Sequence, residues 1–412
     1  MSAGPAAAPM NPQFAPTRAA ALARIAAVQP DAYARSRNAL DGAVSHLSPY
    51  LTHGIVSPAE VLAGIAQRHA ITHQHQFVYE LGWRAYFRHQ WLQRGAAILQ
   101  GLHDGPMPAQ KYSSELPADI RQGRTGVPVI DQAVRTLYGC GYLHNHARMW
   151  LASYVVHVRH VHWRAGADWL IAHLLDGDLG SNHLSWQWVA GTGSSKPYLF
   201  NADNVARYAP PQWHSGGTVL DTSYAALTRL AEGGQAAHGE PTGDGVDEPA
   251  LRRAPPSGSI SPPPPTAIDG RDVWLVHPWA LGEVPGDLPE DCVCVGWWPA
   301  EYHQAWPWRD LRWHFAGSRM ASLSAHSWHG TGAELAAAVS QARSVQTWAN
   351  PHISALLPPA VLQRAEPPLF PAVDQPCQSF SQWWRRGMRG VQDMTDLPGF
   401  AALVLSGRPS VA

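Results

Sequence analysis

The sequence predicts a mainly α fold over its first half, followed by a flexible linker and a small α/β region. Three observations carry this. Residues 1–231 show apolar residues at helical spacing, broken by Gly and Pro, and nothing there reads as a strand. Residues 232–266, with runs such as SGSISPPPP, are too rich in Gly, Pro and Ser to bury apolar surface. Residues 267–412 open with short apolar runs that give way to helical patterns.

Taken in order, Pro128 suits the first position of a helix whose apolar face is Val129, Ala133, Val134 and Leu137, with Gly139 or Gly141 ending it. Beyond the linker, DVWLVHPWALG and DCVCVGWWP predict buried strands, and WRDLRWHFAGSRMASL and GAELAAAVSQARSV predict helices. No internal repeat interrupts this order. The domains expected are therefore 1–231, a linker 232–266, and 267–412.

Composition narrows the class. A chain of 412 residues can build two or three cores. Its four cysteines, Cys140, Cys292, Cys294 and Cys377, form neither a disulfide framework nor paired metal knuckles, which fits a reducing cytosol. No run of 18 apolar residues exists and the N-terminus lacks a basic start with an apolar core, so a cytoplasmic protein without a membrane segment is expected. The net charge of −1 hides an asymmetry: residues 1–212 hold 17 Lys/Arg against 12 Asp/Glu, and the remainder 13 against 19. That positive half permits a polyanionic partner such as DNA. The 19 tryptophans serve in cores, in stacking on bases, or as redox relays.

Four segments of the first half carry chemistry. In YARSRNALDGAVSHLSPYLTHG (33–54), Ser45 and Ser48 beside a helix start at SPAEVL offer donors to a diphosphate; they serve equally as turn residues and caps. In FVYELGWRAYFRHQW (77–91), Glu80, Trp83, Arg84 and Phe87 share one helix face, either a ligand-binding face or an amphipathic helix with an internal ion pair. In GYLHNHARMWLASYVVHVRHVHW (141–163), Asn145, Arg148, Met149 and Ala152 share a face, and a buried arginine there needs a carboxylate. In LLDGDLGSNHLSWQWVAGTG (174–193), Asp176 and Asp178 lie in a turn ahead of Asn182, Trp186 and Trp188. Aspartates two apart in a turn are more often caps or ion-pair partners than metal or glycosidase carboxylates. Histidines such as His144 with His146, or His157 with His160 and His162, lack a completing ligand set, so no metal is expected.

Together these segments resemble the FAD-binding domain of the photolyase/cryptochrome family. SHLSPYLTHGIVSP is similar to its SRLSPYL segment, ELGWRAYFRH to ELxWREFxxH, TGVPVIDQAVRTLYGCGYLHNHARMW to TGxPxxDAxMRxLxxTGxMHNRxRM, and DGDLGSNHLSWQW to DGDLAxNxxxWQW. The resemblance covers roughly residues 14–208 and implies an all-helical domain that holds FAD non-covalently, active in its reduced form. It implies that Tyr33, Ser45 and Ser48 contact the FAD phosphates and adjoining groups with Leu47 packed beside them. Arg84, Asn145, Arg148, Asp176, Asp178 and Asn182 would then surround the isoalloxazine and ribityl parts, Asn145 near N5 and Arg148 paired with Asp176.

The activity implied is light-driven repair of cyclobutane pyrimidine dimers in DNA by electron transfer from photoexcited reduced FAD, the dimer being flipped out of the duplex. The alternative is a cryptochrome-like blue-light sensor without repair; a module without flavin is a third reading, opposed by intact Asn145, Arg148, Asp176 and Asp178. Trp83 and Trp188 match the walls that stack on the damaged bases, Glu80 the acid that bonds the dimer, and Met149 a dimer contact. HNHARM lacks the histidine arrangement of a (6-4) photolyase. Trp186 and Trp163 match the inner members of a tryptophan chain for photoreduction; the third falls in AQKYSSELP, where Tyr112 is the aromatic candidate, with Trp150 or Trp169 as another exit. His46 and Ala85 depart from the pattern's arginine and glutamate. The family's α/β antenna domain does not precede this module, so no antenna chromophore is expected in its usual place, and any second chromophore is unknown. The α/β region after the linker has the element order of such a domain but no motif of it.

Overall fold

The structure, a computed structural model, describes residues 13–239 and 243–405. The chain divides into two compact units. One gathers the described parts of Met1–Val28, Ser45–Gly82 and Ala250–Ala412, and the other Gln29–Val44 with Trp83–Pro249. The helix Gln76–Arg94 is continuous and changes unit after Gly82.

In the second unit the described residues form helices joined by short loops. Pro128 opens the helix Pro128–Cys140, and Gly141, at φ 68°, ends it in the left-handed conformation that a glycine adopts without a Cβ clash. The buried stripe Val129, Ile130, Ala133, Val134 and Leu137 faces Leu151, Val155 and Leu170 in one apolar core. Burying each such aliphatic side chain stabilises the unit by about 1.5–3 kcal/mol. Helix Asn145–Ser153 runs into a π-helical turn, Tyr154–Val158, after which His160 takes a positive φ of 50°. That bend presents Val161 to Ser113 in a bridge, with Ser113 N–H donating to His160 O and His162 N–H to Ser113 O, both at 2.8 Å. Helices Trp163–His173 and Leu179–Ala190 follow, the latter ended by Gly191 at φ 74°.

The first unit holds the strands. β1 (Leu251–Arg252) pairs antiparallel with β4 (Trp308–Arg309). The main sheet comprises β2 (Asp272–Val276), β3 (Val293–Pro299), β5 (His326–Gly330), β6 (Ser344–Trp348) and β7 (Val361–Arg364), all parallel, in the order β5-β3-β2-β6-β7. The chain thus starts centrally, builds one edge, and returns across β2 to build the other, a doubly wound topology whose order reverses between β2 and β6. Above that reversal the protein's own side chains fill the space: Trp279 stacks on His352 with centroids 4.4 Å apart and 9° between planes, both buried. The His277 Nδ1 accepts from Trp279 N–H, so its Nε2–H donates to Trp348 O at 3.0 Å.

N-terminal segments belong to this same unit. A capping box of Ser57 and Glu60 starts helix Pro58–Ala66, Tyr50 packs edge-on against Phe315 at 5.8 Å, and Leu281 N–H donates to His53 O at 2.8 Å.

Three expectations change. The mainly α class holds for the second unit but only in part for the chain, because of the five-stranded sheet. The stretch 232–266 is not a free connector: Ala237 N–H donates to Val158 O, Val246 N–H to Gln122 O, and Glu248 meets Arg121 at 2.6 Å and His173 at 3.3 Å. Its composition precludes a core of its own but leaves its backbone able to bond to a neighbour's, so the compact units divide elsewhere than at 231 and 266. In GAELAAAVSQARSV the helix stops at Ala338 and Ser344 begins β6, since Val345 is recruited into the ladder opposite Val273 and Val361. Among the described residues no helix is long and apolar enough to cross a membrane.

Candidate functional site

The centre of the second unit's polar site is an ion pair. Arg148, one turn into helix Asn145–Ser153, donates from Nη2 to both oxygens of Asp176, at 3.0 and 2.8 Å, and from Nε to Leu143 O. The Asp176 side chain is 3% exposed and that of Arg148 24%. Burial works against the guanidinium's charge, yet the Asp176 carboxylate outweighs it and holds the arginine above its ordinary value. Asp178 caps the next helix, accepting from Ser181 N–H at 2.8 Å, and Asn182, on the first turn of that helix, donates to Ala167 O at 2.9 Å. Asn145 heads its own helix and is exposed, its amide touching Met149 Sδ at 3.6 Å. Next to it His146 stacks on Trp150 at 4.6 Å and bonds to Asn38 O and Tyr198 Oη.

Two tryptophans lie deep in the same unit. Trp163 is 3% exposed and Trp186 2%. Gly166, one turn after Trp163, lets the Trp186 ring lie on the helix backbone: a Cβ there would come within 2.3 Å of Trp186 Cη2. Trp163 also meets the edge of His183, whose Nε2 is 2.9 Å from Asp168. Outward from Trp163 come His162, at 5.7 Å between centroids, and then Tyr112, at 6.3 Å from His162. Trp188, on the same helix as Trp186, is instead 39% exposed and leans on Tyr198 at 5.8 Å. Trp83 lies against Tyr86 and Phe87, and Gly180 admits Trp91 and the Phe87 carbonyl close to the Asp178 cap. Arg84 is half-buried on that helix, and Tyr33 likewise on helix Pro30–Ser36.

The remaining predicted residues belong to the first unit. Ser45 accepts from Leu47 N–H, Leu47 is buried, and Ser48 opens helix Ser48–Thr52. His46 has φ 51°, its ring edge-on to Phe14. Glu80 accepts from Gln76 Nε2 at 2.7 Å. The structure therefore brings together Arg148 with Asp176, Asn145 with Met149, and Asp178 with Asn182 along one helix start.

Comparison with known proteins adds to this geometry. Residues 77–214 match the family described as the FAD binding domain of DNA photolyase. Over 153 residues, 37% of this chain and 33% of the relative, the sequence is 39% identical to a deoxyribodipyrimidine photo-lyase of Streptomyces griseus. Over 170 residues, 39% of this chain and 32% of the relative, it is 35% identical to a cryptochrome DASH of Xenopus laevis. The matched stretch thus spans about a third of these relatives' length. A crystal structure of a Synechocystis sp. PCC6803 cryptochrome aligns at 27% identity and a TM-score of 0.43, over 48% of this chain and 44% of that one.

The donor set fits FAD. A flavin's polar edge alternates donors and acceptors, which an exposed amide at Asn145 and a guanidinium–carboxylate pair at Arg148 and Asp176 can match. Sequence reasoning missed Gly166, Gly180 and the His183–Asp168 pair. The two glycines had a signal, since a helix-interior glycine costs about 1 kcal/mol and needs a packing reason. The His183–Asp168 contact had none, because fifteen residues separate the partners on different helices.

Proposed function

We propose that the chain repairs cyclobutane pyrimidine dimers in DNA with light. The observation that carries this is Trp188, a large indole left 39% exposed in the last turn of the helix that Asp178 caps, where a flipped base can stack. When bound, FAD supplies the light-absorbing centre and the electron that opens the cyclobutane ring. Asn145 positions the polar edge of the cofactor, and Arg148, its charge fixed by Asp176, keeps positive potential beside it. Trp83 and Trp188 provide stacking faces for the damaged bases, Glu80 accepts or donates a hydrogen bond at the dimer, and Met149 fills space against it. Trp186 and Trp163 would form a relay that supplies an electron from outside, and the close approach of the Trp186 ring to Gly166, on the helix that Trp163 opens, supports it.

The test is blue-light repair of an oligonucleotide carrying one thymine dimer, with chemically reduced protein and a dark control. Restored thymines are expected in light alone; none from a protein holding reduced FAD would shift the assignment to a blue-light sensor. Trp83→Ala is expected to weaken binding of the damaged strand by about 1–3 kcal/mol with FAD retained, measured by fluorescence anisotropy.

A further inference from the structure

Beside the outer end of the relay the second unit has a pocket of about 430 Å³, lined by His103, Asp104, Tyr112, His162, Trp163 and Thr192 among others. It is built. The Ser113–Val161 bridge pins Tyr112 next to His162, and the left-handed His160 makes that bridge possible. Four aromatic rings, of His103, Tyr112, His162 and Trp163, contribute to its wall, and no lysine or arginine lines it. His162 Nδ1 accepts from Arg164 N–H, and burial, then Arg164, lowers its proton affinity, so the ring is neutral. Burial likewise keeps the Tyr112 phenol protonated, with the Met107 backbone as partner of its hydroxyl. The one charge on the lining is Asp104, exposed at the rim. Volume, aromatic walls and a lone acceptor suit a small neutral planar molecule bearing O–H groups, and disfavour an anion.

We propose that this pocket docks a neutral aromatic diol of the hydroquinone or catechol class, which refills the outer end of the relay with electrons through Tyr112. The proposal rests on the relay reading of Trp186 and Trp163. With Trp163 oxidised by one electron, Tyr112 passes an electron to it and its phenolic proton to water in the pocket. The diol then gives a hydrogen atom, electron and proton together, to the Tyr112 oxygen. Its O–H bond breaks, the tyrosine O–H re-forms, and it leaves as an aryloxyl radical; two of these disproportionate to one diol and one quinone.

Two readouts test this on the FAD-loaded full chain, with hydroquinone as probe and hexacyanoferrate(II) as a collisional control. In the dark, saturation-transfer NMR reads hydroquinone binding without photochemistry. After a laser flash, transient absorption follows decay of the aromatic radical against reductant concentration. Wild-type protein is expected to give a dark signal and a decay rate that levels off with hydroquinone. Gly105→Leu puts a branched side chain where a Cβ already sits 3.2 Å from Thr192 Cγ2 and 3.6 Å from Tyr112 Oη. It is expected to lose the dark signal and slow the hydroquinone-driven decay about tenfold, leaving the hexacyanoferrate rate within about twofold. Tyr112→Phe should keep the dark signal and lose the fast decay. Asp104→Ala, at an exposed position that leaves the fold alone, should weaken hydroquinone binding and speed hexacyanoferrate. A hydroquinone signal and rate unaltered in both Gly105→Leu and Asp104→Ala would overturn the pocket. Dark binding with no aromatic radical in wild-type protein would instead overturn the relay, and the reductant role with it.

Discussion

At the scale of the residue, the Arg148–Asp176 pair is the part of the site with most at stake. Removing one charge from a pair buried this far leaves the other without compensation. Asp176→Asn is expected to cost about 3 kcal/mol and to lower the flavin content of purified protein, read by thermal melting and by absorbance. Wild-type melting with full flavin would show the pair to be dispensable. His157 makes a separate prediction. Its Nε2 donates to Val189 O, while burial pushes its pKa down to about 4. Below about 6.5 the unfolded chain takes up a proton that the folded one refuses until about pH 4, so stability falls with pH across that window, by about 3 kcal/mol in all. His157→Gln should flatten this loss between pH 6.5 and 4 in denaturant melts; an unchanged slope would assign the acid sensitivity to other groups. The pairing of Arg148 was legible because a buried arginine on a helix face demands a carboxylate and DGD follows at a plausible place. His157 was not, since its sequence surroundings resemble those of His160 and His162 while its burial comes from elements distant along the chain.

At the scale of the element, helix Pro128–Cys140 could be read from its Pro start to an end at Gly139 or Gly141, and the structure selects Gly141, because local sterics decide both ends. The π-helical turn at Tyr154–Val158 could not, as a wider turn has no residue signature and is fixed by what surrounds it. The two long helices at the relay meet through Gly166. Gly166→Ala forces the Trp186 ring to move, an overpacking cost of about 1–3 kcal/mol against which the better helix propensity of alanine returns about 1. The expected result is a lower melting temperature together with slower in vitro photoreduction. Lower stability with unaltered photoreduction would mean that the Trp186 position does not set that rate.

At the scale of the molecule, the individual strands β2 and β3 were legible as apolar runs, whereas their parallel order was not, because register and neighbours depend on pairings distant in sequence. The same holds for the company that residues 45–82 keep. Tyr50 and His53 pack on Phe315, and Arg18 pairs with Glu60 while reaching Glu283 at 3.8 Å. A chain cut after residue 249 would strip those partners from the first unit. It is expected to give little soluble protein, and a soluble, yellow 1–249 fragment would show that the early segments do not need them.

The discontinuity of that unit has a consequence for how the protein is made. Its first segments leave the ribosome long before Ala250 is added, an interval on the order of ten seconds at about 5–20 residues per second. Throughout that interval the apolar faces of Ile55, Val61, Leu62 and Ile65, all fully buried in the finished protein, have only part of their native cover: helix Arg18–Ala27 is made, but helix Pro398–Leu405 is not. The second unit, nearly contiguous in the chain, can complete itself meanwhile. Nascent-chain chaperones are therefore the natural guardians of the opening helices until the C-terminal segments arrive.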